Sequence, residues 1–312
     1  MLTNVLNLSR SPGSRDLAQF SVTGAADLRK IENVAVATLR EKILDYYHLK
    51  VSRAFIQTGD LKTFYFSVGS GKPLVLIHGG GGGGVLWAPV LAPLAAYFRL
   101  IVPDVIGFGE SDKPDGAYDR RFYADWLRRF LDAVGLEKTS LVGNSQGGAI
   151  ALQFAMDCPH RVDNLVLVCS AGFTMRGLNW RAILEMLLAH LFLSRRMFRR
   201  LTQYLVHDVS RFPLDTAVQY LMAVCRLPGG TRAVSKGRGR AVRPFTGDAL
   251  SRVACPTLIL WGSEDRIIRK CPVNSGNQPI SGAKLVQMAG AGHTPFIDQP
   301  EKFTQHLVEF IR

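Results

Sequence analysis

Ser145 lies in Gly143-Asn144-Ser145-Gln146-Gly147, between a short apolar run (139–142) and a segment with helical character (148–156). Glycines on both sides of a serine at such a junction permit a tight, strained strand-to-helix turn. The turn lifts the hydroxyl off the sheet and aims the positive end of the following helix at whatever the hydroxyl attacks. The chemistry this points to is nucleophilic catalysis. A serine hydroxyl is a weak nucleophile near neutral pH, so it needs a base, a group that orients the base, and donors for the developing oxyanion.

Each of these has a candidate. His293 follows the last strand-like run in a glycine-loosened loop, Gly290-Ala291-Gly292-His293-Thr294-Pro295, and is the expected base. The other histidines are worse placed. His160 follows Pro159 at a helix end, His306 lies in the last helix, His190 and His207 fall in a basic helical stretch, and His48 comes too early. Asp265, with Glu264 beside it as the alternative, lies just past the C-terminal end of an apolar run (257–261), where α/β sheets place functional groups. The oxyanion donors are expected from the backbone. One is the N–H of Gln146, directly after the serine. Another comes from Ile77-His78-Gly79-Gly80, which opens a run of six glycines to Gly84, where the backbone can approach a ligand closely. A phosphate cradle is the competing reading of that run, but the Lys-Ser/Thr of a P-loop does not follow it.

These residues need a scaffold. The chain has 312 residues, 47% hydrophobic and 20% charged, which suits one large α/β domain with an insertion. Residues 1–30 are polar, irregular and expected to be mobile, and 34–47 carries apolar residues on one helical face. Two strand-like runs, 50–57 and 63–68, are separated by a Gly-Asp turn and read as an antiparallel pair. Strand and helix patterns then alternate: strands at 73–77, 100–102, 140–142 and 164–168, helices at 87–97, 121–134 and 148–156. This pattern predicts a mainly parallel sheet covered on both faces. It breaks at Gly172 and resumes near residue 250, with strands at 257–261 and 284–288 and a closing helix at 301–311. The chain therefore divides into an N-terminal extension and helix (1–47), a core (48–171 and 251–312) and a helical insertion (172–250).

The net charge of +13 is concentrated in the insertion, which holds thirteen Lys/Arg against four Asp/Glu. Arg195, Arg196, Arg199 and Arg200 stand amid the apolar residues of 183–206. That stretch reads as a helix pair with its apolar face on the domain and its arginines in water. The sharper alternative is a lid over an acyl or aromatic pocket, whose basic face attracts anionic substrates or lipid surfaces. The expected partner is a small acyl substrate, with peripheral membrane contact through the basic segment as a second possibility. Nucleic acid is not expected, because no recognition module accompanies the charge. Five cysteines in no paired spacing, no apolar run long enough to span a bilayer and no leader pattern suggest a cytoplasmic protein with free thiols. No metal or other cofactor is expected.

With the order Ser145, Asp265, His293 and the upstream His-Gly-Gly loop, the chain resembles the α/β-hydrolase superfamily from about residue 50 to the end, apart from the insertion. Pro103-Asp104-Val105-Ile106-Gly107-Phe108-Gly109-Glu110-Ser111 and Trp261-Gly262-Ser263-Glu264-Asp265 match it too. The resemblance implies an α/β-hydrolase fold, with the insertion as a helical cap over the active site. It also implies an acyl-enzyme mechanism, with the oxyanion held by the amides of Gly80 and Gln146. Gly79, Asn144, Trp87 and Phe296, in or just after the motif loops, are expected to border the substrate. Asn144 and Gly148 are similar to meta-cleavage-product hydrolases, which split C–C bonds of dienoates. Those enzymes carry Trp where this chain has Thr294, and a cap arginine for the substrate carboxylate. The resemblance therefore favours carboxylic ester hydrolysis, with C–C hydrolysis second and acyl transfer or ligand reception as further alternatives.

Overall fold

The computed structural model describes residues 25–312 except 238, 272 and 274–278, with side chains from residue 32. Of the segment expected to be irregular and mobile, 1–30, residues 1–24 lie outside the described residues, whereas 25–30 are helical and open α1 (Ala25–Tyr46). Eight strands form one sheet: β1 Ser52–Thr58, β2 Leu61–Val68, β3 Pro73–Ile77, β4 Arg99–Pro103, β5 Thr139–Asn144, β6 Val162–Val168, β7 Thr257–Gly262 and β8 Lys284–Met288. Their order is β1-β2-β4-β3-β5-β6-β7-β8. The β1–β2 and β2–β4 pairings are antiparallel, and every later pairing is parallel.

The central strands are apolar on both faces because both faces are covered. Alternate residues enter different cores: Leu74, Leu76, Val142, Val166 and Leu260 go to one, and Val75, Ile77, Leu141, Leu167 and Ile259 to the other. The second core is closed by α3 (Arg120–Ala133) and α4 (Gln146–Asp157), with Trp126 and Phe130 buried. Asp119 caps α3 by accepting from the Phe122 amide at 3.0 Å. The first core lies under α2 (Ala88–Ala95) and α11 (Pro300–Ile311), near the short α10 (Pro295–Asp298).

Between β6 and β7 the chain passes through α5 (Trp180–Phe192), α6 (Arg195–Leu205), α7 (Leu214–Arg226), α8 (Arg232–Gly237) and α9 (Gly247–Leu250). The N-terminal helix, α1 (Ala25–Tyr46), packs against α7 of this helical region. The α6 helix fits the sequence expectation: Phe198 and Leu201 are buried and its four arginines face water. The α5 helix does not. Its inner face buries only Ala182, Ala189 and His190, while Leu184, Leu187, Leu191 and Phe192 are exposed.

Candidate active site

The turn after β5 puts Ser145 at φ 52°, ψ −117°, a conformation that strains a residue with a side chain. Both glycines of the pentapeptide are required by close approach. A Cβ at Gly147 would run into the carbonyls of Ile77 and His78, and one at Gly143 into the Gly147 carbonyl and the Gly148 backbone. With only hydrogen there, α4 closes against the end of β3. Ser145 then occupies the N-cap position of α4 without a side-chain bond to the helix, whose first amides have no partner inside it.

The expected base and acid meet from the ends of different strands, β8 and β7. His293 Nδ1 lies 2.8 Å from Asp265 Oδ2, with both side chains almost wholly buried. The carboxylate is aimed by the backbone: its other oxygen accepts from the amides of Ile267 (2.7 Å) and Ile268 (2.9 Å). Facing a carboxylate, the neutral imidazole of His293 is best matched by the tautomer with its proton on Nδ1, which leaves the Nε2 lone pair free. Asn144 connects this pair to the turn. Its side-chain amide donates to the carbonyls of Val168 (3.1 Å) and His293 (3.0 Å), so the base loop is tied to the residue preceding Ser145.

The glycine loop lies across the turn. A Cβ on Gly79 would stand 3.3 Å from Ser145 Cβ, and one on Gly80 would meet the Gln146 side chain. His78 fixes the loop from below, accepting from the Val105 amide at Nε2 (2.9 Å) and bonding the Gly79 carbonyl through Nδ1 (2.7 Å). Burial pushes its imidazole down to about 4, so it stays neutral and serves as a strut. Asp104 staples the neighbouring loops, accepting from the Gly84 and Glu110 amides at 2.6 Å each.

The sequence-predicted residues thus converge: Ser145, Asp265, His293, Gly79, Gly80, Asn144 and Gln146 occupy one region. The donors of Asn144 are spent on two carbonyls, which makes it a tether rather than a substrate contact. Trp87 and Phe296 depart further from expectation. They stack on each other in the core, with centroids 3.9 Å apart and almost no exposure, instead of bordering an open pocket.

Two residues were missed. Cys169 is buried, accepts from the Gly262 amide at Sγ (3.4 Å) and points its thiol toward the Gly292 carbonyl. Burial, and then the neighbouring Asp265 carboxylate, hold that thiol well above its ordinary range, so it remains protonated. Asp298 accepts from the Gly292 amide on one oxygen and from the His207 and Asp208 amides on the other, all at 2.8 Å. This fastens the His293 loop to the segment after α6. Neither residue sits in a motif. The only sequence signal was position: Cys169 directly follows the apolar run that forms β6, and Asp298 comes five residues after His293. Cys169, Asp265 and His293 also form a compact group of potential metal ligands, with atoms within 4.8 Å of one another. Those atoms are already engaged with each other and with the backbone, a poor fit to a metal.

Residues 72–202 match the family model described as alpha/beta hydrolase fold. The chain is 32% identical over 273 residues to a 2-hydroxy-6-oxo-2,4-heptadienoate hydrolase of Pseudomonas putida, covering 82% of this chain and 95% of that one. It is 30% identical over 292 residues to Lipase 1 of Psychrobacter immobilis, covering 89% and 90%. The crystal structure of a membrane phospholipase A, a bacterial virulence factor, superposes with a TM-score of 0.77 at 26% identity, covering 92% and 93%. Fold, site and relatives agree: the chain belongs to the α/β-hydrolase fold family and is a hydrolase.

Proposed function

We propose that the protein hydrolyses carboxylic esters through an acyl-enzyme on Ser145. His293 Nε2 takes the hydroxyl proton as Oγ bonds to the carbonyl carbon. The displaced π electrons settle on the carbonyl oxygen, held by the amides of Gly80 and Gln146. Collapse breaks the ester C–O bond, and the alcohol leaves with the proton from His293. Water, deprotonated by the same nitrogen, then releases the acid. The observation that carries this reading is the buried Asp265–His293 pair, tied by Asn144 to the strained turn that presents Ser145.

C–C hydrolysis of dienoates is the second reading, favoured by the 32% identity to the Pseudomonas putida enzyme across nearly its whole length. Against it, the arginines of 172–250 among the described residues are exposed. The one exception, Arg232, is half-buried and spends a donor on the Lys113 carbonyl. None is buried beside Ser145 to receive a substrate carboxylate.

The test is paired kinetics of the wild type and Ser145→Ala on p-nitrophenyl esters of increasing chain length, a lactone and a 2-hydroxy-6-oxo-dienoate. Ester turnover is expected to dominate and to fall roughly a thousandfold or more in Ser145→Ala at unchanged melting temperature. Dominant dienoate cleavage would move the protein to the second reading. No turnover of any of them would favour acyl transfer or ligand reception.

A further inference from the structure

The outer face of α5 is apolar and open to solvent. Trp180, Leu184, Leu187 and Leu191 fall at i, i+4, i+7 and i+11, one helical stripe, and are 66%, 46%, 47% and 72% exposed. Phe192, at 62%, extends the stripe past the last turn. A contiguous apolar surface of this kind on a soluble domain marks a contact site. The one acidic residue of α5, Glu185, is turned inward, with its side chain 17% exposed and 4.0 Å from Arg200.

The border of the stripe is basic. Arg176 and Arg181 stand at its start and Arg196 beyond its end, all exposed and without an acidic partner within 4.0 Å among the described residues. A second segment adds to the border: Arg269 donates its amide to the Gly177 carbonyl at 3.0 Å, and Lys270 packs beside Gly177. Both are exposed. Trp and Leu along a ridge, with arginines at its rim, is the arrangement that lies flat in a lipid headgroup region. There the aromatic and aliphatic groups enter the acyl boundary, and the guanidinium groups meet phosphate. The ridge is one helix wide and convex. A stable protein–protein contact takes roughly 20–30 residues a side, several times what this stripe offers.

We propose that α5 is a membrane-docking helix for anionic phospholipid surfaces. The inner face of the same helix puts the His190 ring over the glycine loop, 3.1 Å from where a Cβ on Gly81 would stand. Docking through α5 therefore sets the helix that covers the glycine loop directly on the bilayer. This goes beyond ester hydrolysis and does not depend on it.

The experiment is co-sedimentation of the full chain with phosphatidylcholine vesicles and with vesicles containing phosphatidylglycerol, at low and high salt. It is paired with tryptophan fluorescence. Trp87, Trp126 and Trp261 are buried, so a blue shift on adding vesicles reports Trp180. Binding is expected with phosphatidylglycerol, weakening in salt. Leu187→Glu/Leu191→Glu and, separately, Arg176→Glu/Arg181→Glu are each expected to weaken it roughly tenfold or more. Their melting temperatures should match the wild type, and Ser145→Ala should bind normally. Three results would overturn the proposal: no sedimentation with anionic vesicles, sedimentation untouched by both double variants, or a dimer in analytical ultracentrifugation that Leu187→Glu/Leu191→Glu dissociates while vesicles bind nothing.

Discussion

Ser145 holds a backbone conformation that costs roughly 1–3 kcal/mol for a residue with a side chain. Its own backbone groups offset that strain. The amide donates to Val168, and the carbonyl accepts from Gly148, Ala149 and Ala171 at 3.0–3.3 Å. The side chains proposed to carry the chemistry were legible in the sequence because each stands just after an apolar run, Ser145 and His293 in glycine-rich turns. The residues that aim them were not. Asn144 reads as part of a motif, Cys169 as an ordinary buried thiol and Asp298 as a loop carboxylate, because a hydrogen bond between distant segments leaves no local pattern. Asn144 gives the sharpest test at this scale. In Asn144→Asp an acceptor would face the carbonyls of Val168 and His293, and the His293 loop should loosen. Steady-state kinetics are expected to show kcat reduced roughly ten- to a hundredfold with KM little changed.

Among the elements, the alternation of strand and helix was readable because central parallel strands are apolar throughout and their helices carry one apolar stripe. The error lay in α5. Its period is helical as expected, but period alone does not say whether an apolar stripe meets the core or the solvent. The two sides of α5 are both suited to burial in composition, and the small residues Ala182 and Ala189 face inward because they permit close approach. At the turn between β5 and α4 the demand is steric. Gly147→Ala would push a methyl into the Ile77 and His78 carbonyls, backbone atoms that cannot swing aside. A loss of about 3 kcal/mol or more in urea unfolding is expected, with soluble yield falling in step.

For the whole molecule, the core and the inserted helices are cross-tied at several points. Thr294 bonds the Leu205 carbonyl through both its amide and its hydroxyl, Asp298 holds His207 and Asp208, and Arg40 of α1 pairs with Glu110 in the loop after β4. Among the described residues no helix is long and apolar enough to cross a membrane. Stability should carry the signature of His78. Its folded value, about 4, lies below the ordinary 6.5, so the unfolded chain takes up the proton first. Its contribution is intact above pH 6.5 and is lost as pH falls toward 4, to a limit of about 3 kcal/mol. Denaturant unfolding of the wild type and His78→Asn across that window is expected to show a shallower pH slope in the variant.

The mechanism itself is most directly tested by trapping its covalent intermediate. A p-nitrophenyl ester is mixed with the wild type, the reaction is acid-quenched within the first turnovers, and intact and peptide masses are measured. One acyl group per chain is expected, on the peptide carrying Ser145 and absent from Ser145→Ala. Undiminished turnover in Ser145→Ala, or an acyl group on any other residue during turnover, would contradict it.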